Sequence, residues 1–171
     1  MTRTARLLAA LGLIVAGPAA AAGPSDAEIA HIAYTAGALD AAAAKQALAK
    51  TQNPQVRAFA EVMLRDHEAV NEKALALVTK LKVTPADNAT SQALAKQAKE
   101  TEAKLAALKG AAFDAAYVAN EVAFHRTVNG ALKETLIPAA RNGELKSLLQ
   151  TGLTLFGEHQ GHAEHLAASL K

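Results

Sequence analysis

Apolar residues between Val56 and Leu81 recur with the rhythm of one helical face. Val56, Ala60, Met63, Val70, Ala74, Leu77 and Leu81 fall at gaps alternating between four and three once His67 is counted in the series. An α-helix turns once per 3.6 residues, so this stripe predicts a single amphipathic helix with one buried edge. Asn53-Pro54 breaks the chain before it, and Pro54 suits the first helical position, where a missing amide is tolerated. Thr84-Pro85 ends it, and Asp87-Asn88 mark a loop.

The same reading divides the rest of the chain. Ser25 and Glu28 have capping-box spacing, so a first helix starts at Ser25 and runs to about Thr51. Residues 91–108 predict a helix with a thin apolar edge of Leu94, Ala98, Leu105 and Leu108. Its Lys and Glu content suits a solvated crossover lying outside the others, and Gly110 ends it. A helix from about Ala111 to Ile137 turns Phe113, Tyr117, Phe124, Val128 and Leu132 inward, before Pro138 and Asn142-Gly143 make a turn. A last helix from Glu144 to the end carries the stripe Leu145, Leu148, Gly152, Leu155, His159, His162 and Leu166. Strand patterns and repeats are missing from the sequence. Short connections make neighbouring helices antiparallel, and a crossover lets the fourth helix run parallel to the second. The expectation is an all-α fold: an antiparallel four-helix bundle with an additional crossover helix between the second and third bundle helices.

Polar residues interrupt these stripes at one level. Of six histidines, His67, His125, His159 and His162 sit on the apolar faces of three helices. With Asp40 and Glu121, they fall within roughly 9 Å of one height at 1.5 Å per residue. Glu121 and His125 are four apart, and His159 and His162 three apart, so each pair shares a face. Asp66 adjoins His67 and serves either as a ligand or by orienting a neighbouring imidazole, with Asn71 placed one turn away. Buried imidazoles need partners, and inward pairs from successive turns are how helical bundles hold metals. The candidate metal ligands are therefore His67, His125, His159, His162, Glu121, Asp40 and Asp66, around a transition metal ion: zinc, copper or iron. A metal-free His–Asp–Glu network that fixes helix register stays open beside it. So does a metal-dependent oxidase or peroxidase, for which Gly37, Ala44 and Gly152 would leave cavity space. His31 reads as a surface or cap residue, and His165 lies nearer the solvent end of its helix.

Composition narrows the setting. Arg3 and Arg6 precede the short apolar run Leu7 to Val15, and Ala20-Ala21-Ala22 follows, which is the pattern of a secretory signal peptide over residues 1–22. Residues 23–171 then form one domain, expected in the periplasm. The whole chain carries 18 basic and 16 acidic residues, and the leader holds two of the basic ones. The remainder is balanced, which argues against nucleic acid as a partner. No later stretch is long and apolar enough to span a membrane. With no Cys, any metal site must use imidazole and carboxylate. Neither a Gly-rich phosphate loop nor an H-E-x-x-H zinc helix is present, and the question of an enzyme stays open.

Several stretches carry a family resemblance. Asn53-Pro54-Gln55-Val56-Arg57-Ala58-Phe59-Ala60, Asp66-His67, Lys109-Gly110-Ala111-Ala112-Phe113-Asp114 and Glu121-Val122-Ala123-Phe124-His125, followed by His159 and His162, resemble the exported bacterial family known as domain of unknown function 4142. The resemblance covers about residues 26–168. It implies a ferritin-like helical bundle and no established activity. The family is sometimes labelled an outer-membrane protein, but helices of this kind cannot form a transmembrane barrel. Di-iron members of the wider ferritin-like group carry Glu on two helices and Glu-x-x-His on two others. This chain departs from that, offering Asp66-His67 and His159-x-x-His162, a set richer in imidazole that suits zinc, copper or a single iron.

Overall fold

The computed structural model describes residues 23–170 and is all-helical, with no strand among them. The signal-peptide segment, residues 1–22, lies outside the described residues. Helix α1 spans Asp26–Lys50, and its cap is the expected one: the Ser25 side chain accepts from Glu28 N while the Glu28 carboxylate accepts from Ser25 N. Helix α2 spans Pro54–Leu81, begun by Asn53, whose side chain accepts from Gln55 N and Val56 N, and closed by Lys82 at φ 53°. Helix α3 covers Ala89–Ala107 and starts two residues earlier than expected, because Asn88 caps it through Thr90 N and Ser91 N.

Helix α4 spans Gly110–Ala131. Gly110 itself has φ +55°, a left-handed conformation that glycine adopts without strain. The expected single helix to Ile137 is broken: Leu132–Leu136 is a π-helical turn, and only a short α5, Ile137–Ala139, follows. Pro138 lacks the amide that would bond the Glu134 carbonyl in an α-helix, and its ring crowds that carbonyl. The wider turn relieves both while keeping Leu132 and Leu136 buried. Helix α6, Gly143–Ser169, is capped by Asn142 through Glu144 N and Leu145 N.

End-to-end contacts fix the directions. Ala86 N donates to Ala27 O, so the chain after α2 returns to the start of α1. Lys50 donates to Leu105 O and Ala106 O, and His31 meets Ser91, so α3 runs alongside α1 in the same sense. Thr51 Oγ1 donates to Asp114 at 2.6 Å, joining the end of α1 to the start of α4. Arg126 meets Glu164, and Asn129 donates to Phe156 O, so α4 and α6 are antiparallel. At the opposite end, Asp26 accepts from the amides of Arg141 and Asn142. Helix α1 packs on α2, α3 and α4, while α6 packs on α4 and α2.

The core falls into two apolar clusters. One holds Ala44, Val56, Phe59, Met63, Phe113, Tyr117, Val118 and Leu166; the other holds Ile29, Ile32, Leu132, Leu136, Leu145, Leu149 and Phe156. On α1, α2, α4 and α6, the polar residues Asp40, His67, Glu121, His125 and His159 occupy the chain between residues packed in the two clusters. Gly37 lets α1 approach α2 closely, since a Cβ there would collide with the Asn71 side chain.

Candidate metal centre

His67, His125 and His159 are brought to the site by α2, α4 and α6, and all three are buried. Asp40 on α1 and Glu121, one turn before His125 on α4, complete a polar layer whose members are at most 3% exposed. Two groups of side chains bring ligand atoms within 4.8 Å of one another: His67, His125 and His159, and Asp40, Glu121 and His125. His125 belongs to both.

Hydrogen bonds decide which ring nitrogens carry protons. The Glu121 carbonyl can only accept, so His125 Nδ1, 3.0 Å away, donates to it and leaves its Nε2 with a lone pair. His159 Nε2 lies 3.0 Å from Asp66 Oδ2. Burial pushes the Asp66 carboxyl up, but the hydrogen bonds and charges of Arg65 and His159 outweigh it and hold the group ionised. His159 therefore donates Nε2–H, and its buried Nδ1 is left without a partner. Fixing one nitrogen by an acceptor so that the other can ligate is the usual support of a metal-bound imidazole.

The remaining distances are too long for good hydrogen bonds. His67 Nε2 lies 3.4 Å from His125 Nε2 and 3.5 Å from Asp40 Oδ1, and His125 Nε2 lies 3.7 Å from Asp40 Oδ2. Two ligands at about 2.0–2.1 Å from one ion in tetrahedral geometry stand about 3.3 Å apart. Both Asp40 oxygens, His67 Nδ1, His159 Nδ1, Glu121 Oε2 and the Tyr117 hydroxyl are buried with no hydrogen-bond partner. The Phe156 ring stacks on His67 at 4.7 Å, closing the layer from one side.

Burial also sets the charges. It lowers His67 to about 3, helped by the charges of His125 and His159, and lowers His125 to about 4 against the opposing bond to the Glu121 backbone. His159 is lowered by burial in spite of Asp66. Asp40 is raised by burial to about 7, and Glu121 is raised well above its usual value by burial and then by the Asp40 charge. The rings are thus neutral, as ligands must be.

A family model described as a domain of unknown function (DUF4142) matches residues 14–166, nearly the whole chain. The chain belongs to the DUF4142 family. No curated protein and no solved structure matches it.

Not every expected ligand of this DUF4142 chain joins the cluster. His67, His125, His159, Glu121 and Asp40 come together. Asp66 stays at the margin, reaching the layer through His159 while Arg65 holds its other oxygen. His162 must be corrected: it is exposed, with its ring edge-on to Phe59 at 5.0 Å, and lies in neither group. Ala163, not His162, continues the buried face beyond His159. Asn71 packs against Gly37. His31 docks α3 onto α1 through Ser91, and His165 is exposed. Sequence reasoning missed two contributors. Phe156 was passed over for Leu155, and Tyr117 was read as plain core, although it stands one turn before Glu121 on the same face.

Proposed function

We propose that this DUF4142 chain is an exported periplasmic protein that binds one transition metal ion inside a ferritin-like antiparallel four-helix bundle. In this reading α1, α2, α4 and α6 form the bundle and α3 is the crossover. His67, His125 and His159 are the nitrogen ligands, Asp40 supplies carboxylate, and Glu121 stands beside it. Zinc, copper or iron suits three imidazoles and a carboxylate, and the role is metal handling in the cell envelope. One observation carries the proposal: from three helices, buried nitrogens and an unpartnered carboxylate converge at 3.4–3.7 Å, a spacing for sharing a cation and not for bonding each other. The poor match to the Glu-rich di-iron pattern speaks against oxidase chemistry of that type.

The test is elemental analysis of untagged protein purified from its native compartment, with thermal melts before and after chelation. About one equivalent of metal is expected, and chelation is expected to lower the melting temperature by roughly 5–10 °C. His125→Ala, which removes the ligand common to both groups, is expected to abolish the metal. Metal-free protein that binds nothing on titration and melts unchanged would leave a polar layer that only sets register.

A further inference from the structure

Between α1, α3 and α4 lies a cavity of about 360 Å³, within the range of about 300–1,000 Å³ typical of small-molecule pockets. Its walls are mainly aliphatic, with Leu39, Ala43, Leu94, Ala98 and Leu105 joined by Phe124. Polar groups converge at its inner end, where Asp40 and Glu121, 2% and 1% exposed, line it. Both Asp40 oxygens, Glu121 Oε2 and the Oε1 of Gln46, which also lines the cavity, are buried with no hydrogen-bond partner. The lining donors Asn120 Nδ2, Gln46 Nε2 and Thr127 Oγ1 are already turned to Glu121 Oε1, the Glu102 carbonyl and the Ala123 carbonyl, and Lys99 is exposed. The outer wall is light, since α3 buries only Ser91 and Leu105.

Such a space selects its occupant. Buried oxygens without a partner, Gln46 Oε1 among them, ask for a donating head group, and an ammonium has three donors and no acceptor. An anionic head would meet two carboxyl groups, and a polar body would lose its hydration against aliphatic walls. We propose that this cavity binds a small apolar amine, its body between α1 and α3 and its amino group against Asp40 and Glu121. The site shares those two carboxyls with the metal reading but none of the three imidazoles, so the two proposals can fail separately.

Calorimetric titration with hexylamine and with hexanoate tests it, together with intermolecular NOEs between hexylamine and the wild-type protein. Saturable amine binding about tenfold or more tighter than hexanoate is expected, with NOEs to the methyl groups of Leu39 and Leu105. Ala98→Phe fills the cavity from a half-buried position on α3 and alters none of the polar layer's own residues. It is expected to weaken amine binding about tenfold or more while zinc uptake and melting temperature hold. No saturable binding, equal binding of hexanoate, or wild-type affinity in folded Ala98→Phe overturns the proposal. If that variant does not fold, the wild-type NOEs decide, and contacts confined to other surfaces overturn it. Amine binding without uptake of zinc, copper or iron upholds the cavity and ends the metal reading; metal uptake without amine binding does the reverse.

Discussion

Asp66 shows how a side chain outside a cluster can govern it. Its carboxylate holds the Nε2–H of His159 at 3.0 Å and is itself held by Arg65 at 2.8 Å, so the imidazole is fixed in the tautomer that leaves Nδ1 free. Asp66→Asn can present an amide donor to the same ring and lets the tautomer relax. Metal affinity, read by competition with a chromophoric chelator, is expected to drop about 10–100-fold with helical content unchanged. Unaltered affinity would show that the ring is held by packing alone. His67, Glu121, His125 and His159 were legible in the sequence because a polar residue on an otherwise apolar stripe stands out. Tyr117 was not, because a tyrosine on such a stripe is ordinary core. Only the lack of any partner for its buried hydroxyl marks it as part of the layer.

Helix α6 shows where periodicity leaves a choice open. Leu145, Gly152, His159 and Leu166 are buried, and any stripe with a seven-residue repeat contains all four. The residues between them arrive as adjacent pairs: Leu148 with Leu149, Leu155 with Phe156, His162 with Ala163. Gaps of three then four give the first of each pair, and gaps of four then three give the second. The fold takes the second, which buries Leu149, Phe156 and Ala163 and turns His162 out. The apolar pairs fit either phase, so one-dimensional pattern cannot separate them; the larger ring of Phe156 does so by stacking on His67 of α2. Phe156→Ala is accordingly expected to cost about 3–5 kcal/mol in chemical denaturation, and half-buried Leu155→Ala clearly less. His162→Ala is expected to leave metal affinity within about twofold of wild type, whereas His159→Ala loses it. A large affinity loss at His162 would mean that the helix turns over on metal loading. The π-turn escaped prediction for a different reason. Proline signals that a helix must yield, but not whether it stops or widens.

At the scale of the molecule, the layer gives the metal-free protein an unusual response to pH. His67 and His125 sit at about 3 and about 4 against an ordinary 6.5, so their contribution to stability is present above pH 6.5 and lost as pH falls towards those values. Asp40 works the other way. Raised from 3.8 to about 7, it contributes stability fully present below pH 3.8 and lost as pH rises through 7, and Glu121 has the same sign. Between those windows the slopes oppose each other; above pH 6.5 only the carboxyl contributions remain. The melting temperature of chelated protein is therefore expected to fall from about pH 6.5 to about pH 8, and that of metal-loaded protein to stay flat, since ligation keeps carboxylates deprotonated in the fold. A flat profile over that range without metal would mean that both carboxyls are already ionised in the folded chain.

The division of the core into two apolar clusters has a mechanical side. Helices α1, α2, α4 and α6 carry grease above and below a belt one or two turns deep. Uniform grease would let neighbouring helices slide by a turn and still bury carbon against carbon. Here a slip of one turn between α2 and α4 carries His67 away from His125, towards Val128 or Glu121, and leaves His125 beside Met63 or Val70, stranding an imidazole in oil in either direction. The belt thus works as a key in a keyway, admitting one axial setting of the helices and making its neighbours on either side unfavourable.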